Sequence, residues 1–186
     1  MNQHTRKLTE IKYTLKETDF LELHLYYFKS EGKLKRLTLK AWIAFLILIG
    51  IISGFLIWKS EIFSAIVLGI TAAVISIFHS SQMKKLYKKQ FKKTIKTYQS
   101  RFGKEVYLKI SDSQIHVKSV AGDTYINFNE VIEFSETQNH FFIKLKTQAI
   151  IIPKTELESI ENLRENLKDL AKKLDVKYID DSNWKW

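Results

Sequence analysis

Cysteine is absent from the 186 residues, so the chain has no disulfide, no thiolate metal ligand and no cysteine nucleophile. Proline occurs once, at Pro153, which leaves long regular elements uninterrupted. Acids are scarce in the middle: residues 41–83 hold only Glu61, and residues 84–104 hold none. The opening MNQHTRKLTE has no apolar core and no small-residue cleavage site, so no signal peptide is expected. No G-x-S-x-G, P-loop or G-x-G-x-x-G occurs. His4, His24, His79, His116 and His140 are scattered, without H-x-x-x-H or H-E-x-x-H spacing. Asp180 and Asp181 are adjacent in an apparent tail and read as a solvated pair, not as catalytic carboxylates. The expectation is a protein with no enzymatic activity, no cofactor and no metal.

What is present is an uneven distribution of charge and apolarity. The formal net charge is +10 and the mean hydropathy −0.17. Residues 1–40 carry +4, residues 41–83 zero, residues 84–104 +9 and residues 105–186 −3. The basic residues therefore flank an apolar centre.

That centre contains two runs. Ala41 to Trp58 is 18 residues with Ser53 as its only polar side chain, and Ile62 to Phe78 is 17 residues interrupted by Ser64, Thr71 and Ser76. As helices they span about 27 and 26 Å, close to the roughly 30 Å of a bilayer core. Eleven Ile, Leu and Phe residues in the first run favour insertion by roughly 3–7 kcal/mol. A buried helix of a soluble protein keeps a polar stripe, and neither run has one. Both are read as membrane spans, joined through Lys59, Ser60 and Glu61 into a hairpin.

Small residues suggest how the spans meet. Gly50 and Gly54 form a G-x-x-x-G step, while Ala65, Gly69 and Ala73 form a small-residue ladder. Counted from Ser60, Gly54 faces Ala65 and Gly50 faces Gly69 at matching depth, so these five are expected to line the helix–helix interface. Trp42 and Trp58 mark the ends of the first span. Lys33, Lys35, Arg36 and Lys40 precede the hairpin, and lysines follow it, while its turn has no net charge. The positive-inside rule then puts both termini in the cytoplasm, with the protein a multi-pass component of the cytoplasmic (inner) membrane.

Met83 to Lys104 spaces Tyr87, Phe91, Ile95 and Tyr98 along one helical face, with Gly103 as C-cap. Lys84, Lys85, Lys88, Lys89, Lys92, Lys93 and Lys96 surround that stripe. They suit two roles, a solvated stalk that fixes topology and a surface for anionic headgroups. The acidic domain behind them carries no nucleic-acid-binding motif, so no nucleic-acid partner is expected.

From Glu105 the period changes to two. EVYLKI, QIHVK, TYINF, VIEFSET, HFFIKLK and QAIII read as six consecutive antiparallel strands, ended by Pro153. Thr155 and Glu158 have capping-box form before a helix whose apolar face is Leu157, Ile160, Leu163, Leu167, Leu170 and Leu174. A bent sheet closed by one amphipathic helix is a PH-like split barrel. IKYTL, Ile11 to Leu15, also alternates and has no neighbour before the membrane, so its simplest partner is an edge of that sheet. FLELHLYYFKS then reads as a short interfacial helix capped by Thr18 or Asp19.

The order of these pieces resembles YcxB-like bacterial membrane proteins. The resemblance is most specific at Tyr13-Thr14-Leu15, at Leu25-Tyr26-Tyr27-Phe28 and at Ala149 to Lys154. It implies a PH-like C-terminal domain and no activity for any residue. A PH-like fold does not by itself imply phosphoinositide binding. The expected plan is an α+β membrane protein: a strand and interfacial helix in 1–40, a hairpin in 41–80 with spans 41–58 and 62–78, a basic helix in 81–103, a YcxB-like domain in 104–175 and a tail in 176–186. The expected partners are the lipid bilayer, including its anionic headgroups, and an unidentified protein. The function expected is a membrane-tethered interaction module; the alternative is a small accessory or regulatory subunit of a transporter or channel.

Overall fold

The computed structural model describes residues 9–186. It forms two compact units, one built from the chain through Leu23 together with Ile95–Lys185, the other from His24–Thr94 with Trp186.

The first unit is α+β. Strand β1 (Thr9–Thr14) pairs antiparallel with β2 (Glu105–Ile110) in an unbroken register from Thr9↔Ile110 to Thr14↔Glu105. The isolated alternation of Ile11, Tyr13 and Leu15 is thus matched by a neighbour far along the chain. Two further strands, β3 (Gln114–Ser119) and β4 (Gly122–Asn127), complete a sheet in the order β1-β2-β3-β4. Its inner face carries Tyr13, Val106, Leu108, Ile115 and Ile126, all buried.

The expected continuous sheet does not form. After Asn127, residues Phe128–Glu130 make a 3-10 turn, and the next strand leaves the first sheet instead of pairing with β4. Strands β5 (Val131–Thr137), β6 (His140–Leu145) and β7 (Ala149–Pro153) build a second sheet, ordered β7-β6-β5-β8. Strand β6 is central and buried on both faces, with Phe141 and Phe142 pointing oppositely and neither exposed.

The last strand, β8 (Lys177–Asp181), lies in the segment read as a tail. It runs parallel to β5, with Tyr178 opposite Phe134. A parallel neighbour needs a crossover connection. That role falls to helix α4 (Ile160–Leu174), which ends at Asp175 in the left-handed conformation, φ 53°. Asp180 and Asp181 are therefore strand residues.

Helix α4 starts later than the Thr155–Glu158 pattern suggests. Lys154–Glu156 is a 3-10 turn, and Ser159 is the N-cap, its side chain accepting from the Asn162 backbone N–H. Leu157 falls outside the helix, and the buried face is Leu163, Leu167 and Ala171.

Helix α1 (Glu17–Ser30) begins one or two residues before its expected caps. Asp19 instead reaches back from inside the first turn, its Oδ2 accepting from the Lys16 N–H at 2.6 Å.

The second unit is helical. Helix α2 (Lys33–Trp58) and helix α3 (Ile62–Thr94) are antiparallel neighbours, and both are long and apolar enough to cross a membrane. The turn between them centres on Ser60, which takes φ 61°. Their apolar windows are almost unburied: Ile51 is 66% exposed, Phe63 78% and Ile77 75%.

Helix α3 runs on without a break into the lysine-rich segment and tightens to a 3-10 helix at Ile95–Arg101. Within this unit the Tyr87–Phe91 stripe is covered by α1. Phe28 lies 4.7 Å from Tyr87 and 5.1 Å from Phe91, and His24 lies 5.8 Å from Phe91, between ring centroids. The stripe is a packing face for α1.

Candidate functional site

Of the five small residues expected at the hairpin interface, Ala65 lies there and the other four do not. A Cβ added at Gly50, Gly54 or Gly69 meets nothing within 4 Å, and Ala73 is exposed. The buried small residues of α3 are Ala65 and Ala72. With half-buried Leu68, Ser76 and His79 they give 3, 4, 4 and 3 spacing, and α2 answers with half-buried Phe45, Ile49, Ser53 and Leu56. Large side chains of α2 thus pack over alanines of α3. The glycines, about 100° further round the helix, face outward.

Of the seven lysines expected to form a basic surface, six lie on α3 and Lys96 in the 3-10 turn. Six are exposed and Lys84 is half-buried. Among the described residues none of the seven makes an ion pair, so their charge is uncompensated.

Sequence reasoning missed the densest polar cluster, which lies inside the β unit. Glu136 on β5 is 1% exposed. Its Oε1 accepts from Lys154 Nζ at 2.6 Å and Arg164 Nη2 at 2.6 Å, and its Oε2 from Arg164 Nε at 2.9 Å and Tyr178 OH at 2.5 Å. Lys154 also donates to the Thr137 carbonyl at 2.6 Å and sits 4.8 Å over the Phe141 ring. Burial alone would raise the Glu136 carboxyl, but the donors from Arg164, Lys154 and Tyr178 outweigh it and hold the group at about 2. Tyr178 is raised, by burial first and then by Glu136.

A second cluster adjoins it. His140 on β6 is 4% exposed, with Nε2 2.9 Å from Asp19 Oδ1. Glu22 Oε1 lies 3.1 Å from Nδ1 but off the line of a hydrogen bond, so that contact is an ion pair. Thr137 joins the clusters, donating its hydroxyl toward Glu22 at 3.3 Å and accepting from the His140 backbone N–H at 3.2 Å. Burial pushes the imidazole down, yet the two carboxylates more than offset it and the net shift is upward. Glu22 is likewise lowered, its burial outweighed by His140.

These groups hold one another. Glu136 already accepts from three side chains, and both ring nitrogens of His140 face carboxylates instead of a nucleophile. The arrangement ties the start of α1 and the β5–β6 hairpin to Lys154, α4 and β8. Of the other histidines, His116 stacks on Tyr125 and pairs with Asp123, His24 and His79 lie in the helical unit, and His4 is outside the described residues. No group of three or more His, Asp or Glu able to hold a metal occurs among the described residues.

A cavity of about 290 Å³ opens between the inner face of the first sheet and β7. Val106, Ile126 and Ile150 give it an apolar floor, and Arg101, Lys104 and Glu105 are at its exposed side. Tyr13, 2% exposed, lines it, and its hydroxyl has no hydrogen-bond partner among the described residues. Burial raises the phenol.

Residues 110–167 match the family model described as YcxB-like protein, the family that the sequence motifs resemble. The matched stretch runs from the end of β2 into α4 and contains Glu136, His140, Lys154 and Arg164. No curated protein and no solved structure matches the chain.

Proposed function

We propose that this chain, which carries a YcxB-like domain, is a membrane-tethered interaction module without enzymatic activity. The α2–α3 hairpin is its anchor in the cytoplasmic membrane, both ends of the chain face the cytoplasm, and the β unit is a PH-like domain that receives a partner. The observation that carries the reading is the exposure of the hairpin. Two windows of 18 residues are 0% and 6% buried, whereas a soluble protein would hide so much apolar surface. Four antiparallel strands, then three, then a helix support the PH-like layout, with β8 as an addition. The cavity beside Tyr13 supports a binding role, since a hydroxyl on its wall can hydrogen-bond a ligand.

The test is location. The chain should stay with membranes through alkaline carbonate washing, and a reporter fused after Trp186 should behave as cytoplasmic. A washed-off protein or an external reporter overturns the reading.

A transporter or channel subunit is the second reading, favoured by the outward faces of Gly50, Gly54 and Gly69. Glycines facing lipid allow another span to approach closely. Capture in gentle detergent separates the two: an integral transporter as the main partner favours the subunit, and a soluble protein the module.

A further inference from the structure

We propose that the groove between α2 and α3 at their basic end is a binding site for one anionic phospholipid, an inference that rests on the membrane reading above. The groove has a volume of about 450 Å³ and is lined by Leu34, Lys35, Leu39, Trp42, His79 and Ser80 among others. Lys40 and His79 each adjoin an end of the apolar runs, so the groove lies where headgroups meet acyl chains. Leu39, 50% exposed, and Trp42 offer it an apolar wall at that depth.

Its polar groups are divided. His79 Nε2 lies 3.2 Å from the Thr38 carbonyl and Ser76 donates to the Ala72 carbonyl, so both bridge or serve backbone. Among the described residues the Lys35 ammonium and the Thr38 and Ser80 hydroxyls have no partner, which leaves one cation and two hydroxyls for a phosphate. The surrounding charge has one sign. Between residues 24 and 60 the only acid is Glu31, which pairs with Lys33 at 2.6 Å, and the other acid of the helical unit, Glu61, is at the far end of the hairpin. A zwitterionic lipid would bring its own ammonium into this field; an anionic lipid brings none. Free phosphate would satisfy Lys35 and leave the Leu34, Leu39 and Trp42 wall bare.

The full chain with Trp42 as its sole tryptophan (Trp58, Trp184 and Trp186→Phe) is reconstituted in phosphatidylcholine vesicles containing a minor share of phosphatidylglycerol. Bromine is placed on the upper acyl chain of one lipid or the other, and quenching of Trp42 reads which lipid occupies the groove. Brominated phosphatidylglycerol should quench as if enriched about fivefold over its bulk share. Lys35→Gln should remove the enrichment, and Lys35→Arg should keep it. Quenching by each lipid in proportion to its bulk share overturns the site while leaving the membrane reading intact. No quenching by either puts Trp42 outside the bilayer and rejects both. Enrichment that survives Lys35→Gln belongs to the diffuse field of Lys84 to Lys93 and also overturns the site.

Discussion

Lys154 Nζ lies 2.6 Å from Glu136 Oε1 where neither side chain meets water to more than 9%. The two are 18 residues apart, one in the middle of the β5–β6 hairpin and the other just after β7. Their contact closes the polar network that also reaches α4 and β8. In a low-dielectric site, removing one partner leaves the other as an uncompensated charge, which costs more than the pair contributes.

Lys154→Met should therefore destabilise the β unit by about 3–5 kcal/mol. The double change Lys154→Met with Glu136→Gln should recover part of that loss, because no bare carboxylate remains. Denaturant melts of the parent, the two single variants and the double variant check it. A Lys154→Met protein as stable as the parent would mean that Arg164 and Tyr178 suffice for Glu136.

The same carboxylate sets an acid limit. Glu136 is lowered from 4.5 to about 2 in the folded chain. Its contribution is complete above pH 4.5 and is lost as the pH falls from there through about 2. Melts of the parent and of Glu136→Gln should converge over that interval. A gap that stays constant with pH would show that Glu136 acts only by packing.

His140 works in the opposite direction. Its folded value is raised above 6.5, so the stability from Asp19 and Glu22 is complete below pH 6.5 and is lost as the pH rises through the folded value. The parent should lose stability across that interval relative to His140→Gln. A parent–variant difference that does not change with pH would place the ring as neutral throughout.

Within the hairpin, Ala72→Leu should push α2 from α3 and cost about 1–3 kcal/mol, as overpacking does. Gly54→Leu should leave the pair intact, since a side chain there enters open space. Unfolding in increasing dodecyl sulfate compares them. Greater damage from Gly54→Leu would restore the glycine interface.

How much of this was legible varied with the kind of constraint. The two long apolar helices, the turn at Ser60 and the period-two strands follow from local pattern, because apolar length and alternation act on neighbours in sequence. The rotation of α2 about its axis did not follow. Matching Gly54 to Ala65 fixes depth, yet Phe45, Ile49, Ser53 and Leu56 share those depths on another face. The break after β4 was hidden because Asn127-Phe128-Asn129 looks like any turn signal; whether the next strand folds back depends on what β6 and β7 offer it. The Glu136 site was invisible for a related reason. Its partners lie 18, 28 and 42 residues away, and a glutamate within VIEFSET reads as the polar half of an alternation. The one local hint was Lys154, a charge directly after the apolar AIIIP.

The pairing of β1 with β2 makes the last prediction, about dependence between distant parts of the chain. Strand β1 covers the outer edge of β2 along its whole length, and Tyr13, at 2% exposure, is part of the same core as Val106 and Leu108. Without β1, a row of backbone donors and acceptors on β2 is open to other chains, and the inner face loses an aromatic. A fragment of residues 104–186 should then aggregate or exchange the β2 amide protons rapidly. Joining residues 8–16 to it through a flexible linker should restore monomeric behaviour and protect those amides. Tyr13→Ala in the linked segment should undo much of the rescue, by about 3–5 kcal/mol if it behaves like other large aromatic truncations. A fragment that is stable and monomeric alone would show that the first sheet tolerates an open β2 edge, and that β1 is held by the sheet without supporting it.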